Sequence, residues 1–196
     1  KEHKTQWFKN CRTLQERMNH KTHPTYKADI LVVDDTRDNL RLLKFILTEH
    51  GYYVRPVLNG PKAISTAQSA PPDLILLDIV MPNMDGYAVC EQLKADDRTR
   101  EIPVIFISAL NETFDKVKAF SLGGVDYITK PFQAKEVLAR VETHLGLRDL
   151  QQRLQENNSQ LQQEIIKRKR AEEELWALNQ QLQEMWKETA QKQIEM

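Results

Sequence analysis

The chain has 196 residues, enough for one domain of ordinary size plus a further segment. Its 28 Lys and Arg balance 28 Asp and Glu, so the basic excess of a nucleic-acid binder is missing. Cys11 and Cys90 are too few for a disulfide framework, and no apolar stretch reaches the roughly 18 residues of a membrane span, which excludes disulfide-rich secreted and membrane-spanning classes. Reduced thiols and a cytoplasmic location are therefore expected. The chain opens on Lys1 with no apolar leader, so more sequence upstream is anticipated. Charge is not evenly spread. Residues 1–28 are basic, whereas residues 29–145 lean acidic, which suits a cation site.

Trp7, Cys11, Leu14 and Met18 share one face of a short predicted helix, and Asn19 to Lys27 reads as a linker, so residues 1–28 form an N-terminal helix and linker. His20 and His23 lack further ligands for a metal. Ile30-Leu31-Val32-Val33 is an apolar strand running into Asp34-Asp35. Thr36 to Glu49 follows as a helix with Leu40, Leu43, Ile46 and Leu47 inward and Gly51 past its end. Tyr53 to Val57 is a strand, and Pro61 to Ser69 a helix with Pro in its first turn. Leu74-Ile75-Leu76-Leu77 is a fully apolar strand ending in Asp78, closed by Pro82 and Gly86.

Tyr87 to Ala95 is the next helix, Pro103 to Ser108 an apolar strand, Glu112 to Leu122 a helix stopped by Gly123 and Gly124, Val125 to Ile128 a strand, and Thr129 to Phe132 a turn. Five strands alternating with helices imply a doubly wound, five-stranded parallel α/β sheet covered on both faces. From Gln133 one helix runs toward Met196, roughly 96 Å at about 1.5 Å per residue. Beyond Leu147 its period becomes seven, with Leu147, Leu154, Leu161, Leu175 and Leu182 on one seam and Leu150, Leu178 and Met185 beside it. This predicts a long C-terminal coiled coil over residues 147–196, with Asn157 biasing its register and a stutter near Ile165.

The strand ends deliver Asp34, Asp35 and Asp78 to one edge of the sheet, where open α/β sheets place their chemistry. Two charges about 4 Å apart repel by roughly 4 kcal/mol at an effective dielectric near 20, so the cluster calls for a cation. Hard anionic oxygens favour Mg²⁺. Lys130 adds positive charge and Ser108 a hydroxyl, together forming a site for a phosphoryl group on a carboxylate.

These motifs, Asp34-Asp35, Asp78 with Met81-Pro82-Asn83-Met84-Asp85-Gly86, Ser108-Ala109 and Tyr127-Ile128-Thr129-Lys130-Pro131-Phe132, resemble the receiver domain of two-component response regulators over residues 29–146. The resemblance implies a flavodoxin-like fold in which Asp78 accepts a phosphoryl group from a phosphohistidine. It further implies Mg²⁺ held by Asp35, Asp78 and the backbone carbonyl of Val80, with Asp34 acting through water. Lys130 and Ser108 would contact the phosphoryl oxygens, Tyr127 would turn inward as a switch, and the bond before Pro131 would be cis. The implied donor is a histidine kinase or histidine phosphotransfer protein, and enzymatic action is limited to self-phosphotransfer and autodephosphorylation.

Other classes fit less well. A haloacid-dehalogenase-type phosphatase needs a second Asp two places on, whereas Asp34 is followed by Asp35, Thr36 and Arg37. A flavin module needs a phosphate-cradling loop where the paired carboxylates stand. Lys167-Arg168-Lys169-Arg170 is short for a DNA-contacting region and runs into Glu172-Glu173-Glu174, so DNA binding is not expected. The expected assembly is a parallel homodimer through the C-terminal helix. It would relay the receiver's state to an output beyond Met196, such as a histidine kinase or nucleotide cyclase, or else act as a self-contained dimer or scaffold.

Overall fold

The computed structural model describes residues 26–109 and 116–194. The helix expected at Trp7 to Met18 and most of its linker lie outside the described residues. Five strands, β1 (Asp29–Val33), β2 (Tyr53–Val57), β3 (Leu74–Asp78), β4 (Val104–Ala109) and β5 (Asp126–Lys130), alternate with α1 (Arg37–Glu49), α2 (Gly60–Ser69), α3 (Gly86–Ala95), α4 (Lys116–Ser121) and α5 (Ala134–Ile194). All pair in parallel, in the order β2-β1-β3-β4-β5. This is a doubly wound, flavodoxin-like fold.

Two cores explain why the strands read as unbroken apolar runs. Side chains alternate across a strand, so each strand feeds both faces. Leu31, Val33, Ile75, Leu77, Val104 and Phe106 pack with Ala63, Val89, Leu93 and Ala119 from α2, α3 and α4. Ile30, Val32, Leu74, Leu76, Ile105 and Ile107 pack with Leu40, Leu43 and Leu47 of α1 and Val137 and Val141 of α5. With both faces covered, no polar alternation survives.

Turn chemistry fixes the helix starts and ends. Asn59 caps α2 by accepting from Lys62 N–H at 3.0 Å, and Asp85 caps α3 by accepting from Ala88 N–H at 2.8 Å. His50 N–H and Gly51 N–H close α1 on the carbonyls of Leu47 and Thr48, with Gly51 at φ 85°, where a side chain would be strained. Cys90 is buried, its thiol 3.4 Å from the Leu122 carbonyl, and burial pushes its pKa up to about 11. At the β2 edge, Tyr53 N–H donates to the Ala28 carbonyl and the Val57 carbonyl accepts from Asp34 N–H, so alternate residues of β2 face β1.

One element differs from the sequence expectation. β5 continues through Thr129 and Lys130, which pair with Ser108 and Ala109 rather than forming a turn, because β4 extends far enough to offer them partners. Of the helix expected at Glu112 to Leu122, residues 112–115 lie outside the described residues, and Lys116–Ser121 is helical.

A ladder of ions ties the start of α5 to β5. Asp126 accepts from Arg140 at 2.6 Å and faces His144 at 3.1 Å, and Arg140 also binds Glu136 at 3.0 Å. Burial would raise the Asp126 pKa, but hydrogen bonds from Arg140, Tyr127 N–H and His144 outweigh it and hold the carboxyl below its ordinary value. Internal contacts divide the chain between Gly146 and Leu147. In the second unit every described side chain from Asp149 to Lys187 is exposed, including Leu150, Leu154, Leu161, Leu175, Leu178 and Leu182. No described helix is long and apolar enough to cross a membrane.

Gly124 stands against the ring of the fully buried Phe106, where a methyl group would collide with the ring and come within 2.8 Å of Cδ2. Gly124→Ala should therefore destabilise the compact unit by about 1–3 kcal/mol through overpacking, read as a lower urea midpoint with an unchanged slope.

Candidate functional site

The strand order reverses at β1, with β2 on one side and β3 on the other, and the crevice beyond such a switch point collects loop residues from both neighbours. Asp34 and Asp35 follow β1 directly, and Asp78 is the last residue of β3. The three carboxylates each bring one oxygen within 4.8 Å of the others. Asp34 and Asp78 are buried, whereas Asp35 is exposed at the rim.

Lys130 arrives from the end of β5. Its ammonium lies 2.7 Å from Asp78 Oδ2 and 2.9 Å from Asp34 Oδ2, bridging the two buried carboxylates. Burial disfavours the charged amine, yet the hydrogen bonds to Asp78 and Asp34 win and raise its pKa. For Asp78 the balance goes the other way. Burial raises its pKa, the Lys130 hydrogen bond opposes, the Asp34 charge raises it further and the Val80 N–H lowers it, leaving it at about 6.

Asp34 is held by several protein donors. Thr36 N–H donates to Oδ1 at 2.8 Å, and the Asn39 amide nitrogen donates to Oδ1 at 3.0 Å and Oδ2 at 2.9 Å. The sequence reading missed Asn39, although a polar side chain four residues before inward-facing Leu43 was a usable signal. Gly86 was likewise read only as a turn. Its N–H donates to the Ile79 carbonyl at 2.8 Å, and a side chain there would run into the Asp78 carbonyl oxygen. That close approach lets the segment after Asp78 fold tightly, with Asn83 in the left-handed region at φ 68°.

Ser108 is 2% exposed and follows Ile107, whose Cα is paired with Asp78, so its hydroxyl belongs to the same sheet edge. Tyr127 is half-buried. Lys116 donates to its hydroxyl at 2.6 Å and sits 4.4 Å from the ring centre, with the Arg140 guanidinium 5.5 Å from it. Val80 is 53% exposed beside Asp78. The Lys130–Pro131 peptide bond is cis. Clustered anionic oxygens of this kind fit a hard divalent cation such as Mg²⁺ better than a softer metal.

A model of the response regulator receiver domain matches residues 30–142. Among curated proteins, the chain is 45% identical over 116 residues to "Response regulator PleD" of Caulobacter vibrioides, covering 59% of this chain and 26% of that protein. It is 35% identical over 163 residues to "Probable cyclic di-GMP phosphodiesterase" of Vibrio cholerae, covering 81% of this chain and 37% of the other. Among solved structures, the receiver domain of a signal transduction histidine kinase from Syntrophus aciditrophicus superposes with a TM-score of 0.57 at 39% identity, over 61% of this chain and 90% of that one. The chain thus spans about a quarter to just over a third of those two curated relatives.

Because the folded-state pKa of Asp78 lies above the ordinary 3.8, the fold binds an extra proton between those values. The cost of ionised Asp78 is absent below about 3.8, grows as pH rises and is complete above about 6. In metal-free protein, Asp78→Asn should therefore melt higher than the parent at pH 7.5. That margin should shrink as pH falls toward 4, followed by calorimetry across the range.

Proposed function

The chain belongs to the response regulator receiver family of two-component signalling, and from that premise we propose that Asp78 is its phosphoacceptor. The supporting observation is the buried carboxylate of Asp78 held by Lys130 beside Asp34, with Asp35 at the rim. An Asp78 carboxylate oxygen attacks the phosphorus of a phosphohistidine. The new bond is O–P, the broken bond is P–N, and the histidine nitrogen leaves with its electron pair and regains a proton from solvent. The product is an aspartyl phosphate on Asp78.

Receiver domains generally bind Mg²⁺ at this acidic pocket, and here Asp35, Asp78 and the Val80 carbonyl would hold it, with Asp34 reaching it through water. When bound, the ion supplies positive charge beside the phosphoryl oxygens. Lys130 turns from bridging two carboxylates to pairing with a phosphoryl oxygen, and Ser108 donates its hydroxyl to another. Tyr127 then leaves Lys116 and turns inward, altering the surface of α4, β5 and the start of α5.

The domain reading is an N-terminal helix and linker at 1–28, a receiver at 29–146 and a signalling helix at 147–196, on the cytoplasmic side of the cell. The apolar seam of the second unit supports a parallel homodimer, since the leucines at heptad spacing are exposed in the single chain. Relay through this dimer to an output domain is favoured by the 163-residue match to the Vibrio relative, which is longer than the receiver itself and covers only 37% of that protein. The donor is a histidine kinase or a histidine phosphotransfer protein.

Incubation with acetyl phosphate and Mg²⁺ should add the mass of one phosphoryl group to the intact chain. The adduct should be absent with a chelator and in Asp78→Asn; its persistence in that variant would place the phosphoacceptor elsewhere. In light scattering at micromolar concentration the mass should be that of a dimer, and a monomer would defeat the helix relay while leaving the phosphoacceptor assignment intact.

A further inference from the structure

Asp34 is 0% exposed and accepts four contacts: Thr36 N–H on Oδ1, the Asn39 amide on both oxygens, and Lys130 on Oδ2. A carboxylate has about four lone-pair sites, and a single Asn39 nitrogen is shared between both oxygens, so these donors hold Asp34 firmly while leaving room for a water. Three of the contacts come from groups with fixed places. Thr36 N–H belongs to the cap of α1, and the half-buried Asn39 side chain spans both oxygens from the first turn of the same helix. Lys130 is different, because it is shared with Asp78 and stands at the end of a long flexible stem.

We propose that Asn39 is a positioning residue whose amide, bridging both oxygens of Asp34, fixes that carboxylate as the anchor holding Lys130 beside Asp78 and keeps it from turning to ligate a cation directly.

The physical case rests on what Asp34 does without the amide. A buried carboxylate stripped of its donor keeps its full charge and must find a replacement. Two are within reach: Lys130, which would be drawn off Asp78 toward Asp34, and the cation, which would gain a third direct carboxylate at the expense of bound water. Either change disturbs the division of labour among the three aspartates. With Asn39 present, Asp34 needs only one bond from Lys130, which leaves the ammonium 2.7 Å from Asp78.

This inference rests on the phosphoacceptor reading for its purpose but not for its test. The lysine ammonium signals of metal-free, nitrogen-15-labelled full-length protein should include a protected Lys130 resonance, identified by its loss in Lys130→Gln. Asn39→Leu, of similar volume and without a donor, should shift that resonance as the ammonium is drawn off Asp78 toward Asp34, and Asn39→Gln, which keeps the amide, should return it part of the way. Isothermal titration with Mg²⁺ should show higher affinity in Asn39→Leu, where Asp34 becomes free to join the ion as a third direct carboxylate, and near-parent affinity in Asn39→Gln. An unchanged Lys130 signal in Asn39→Leu overturns the proposal. So does an equal shift in the Leu and Gln variants with a matching fall in melting temperature, which would mark Asn39 as a packing residue only. If the parent protein binds no Mg²⁺ and accepts no phosphoryl group, the phosphoacceptor reading fails, while the lysine signal still decides the role of Asn39.

Discussion

One ammonium group between two buried carboxylates sets the terms for the rest of the receiver. Asp34 and Asp78 are almost fully withdrawn from water, and without Lys130 their mutual repulsion would fall on a site with little solvent to screen it. To reach them from β5, the lysine stem must cross the end of β4, and each strand step is about 4.8 Å. The residues of β4 at that height are Ser108 and Ala109, both small, in register with Thr129 and Lys130. The pairing of β4 with β5 is thus what aims the cation, and the smallness of β4 at its end is what clears its path.

The sheet and the acidic cluster were legible because their physics is local. Apolar runs of strand length ending in carboxylates can be read without tertiary knowledge, and Asp34, Asp35 and Asp78 announce themselves by type and place. The sequence places Lys130 in a turn, yet β4 supplies partners that extend β5 by two residues, a long-range fact. Asn39 is only weakly marked in the sequence for a related reason. On a helix its polarity reads as a solvent-facing position, and only the fold shows that its side chain meets Asp34. Gly86 carried a signal, but its meaning, closeness to the Asp78 carbonyl, is equally tertiary.

The two stretches of α5 carry apolar side chains at two different spacings. Val137 and Val141 follow the spacing of a helix lying on a sheet and are buried there. From Leu147 the spacing changes to sevens and the apolar side chains are exposed within the single chain. Asp126, clasped by Arg140 and His144, lies next to Tyr127 in sequence, and Arg140 also faces the Tyr127 ring. Any movement of that ring is therefore felt by the first turns of α5 through a charged contact, without a need for the hydrophobic core to repack.

The edge strand β2 bears on self-association from the opposite direction. Tyr53 and Val57 turn their backbone groups toward β1, so Pro56, between Arg55 and Val57, presents its nitrogen to the open side, where it has no hydrogen to offer. An incoming strand would find a gap in the row of donors it needs, on an edge only five residues long. Fibre-like growth by strand addition is thereby discouraged at that border. A chain that also exposes apolar side chains along a helix within the single chain has particular use for such a guard at its sheet border.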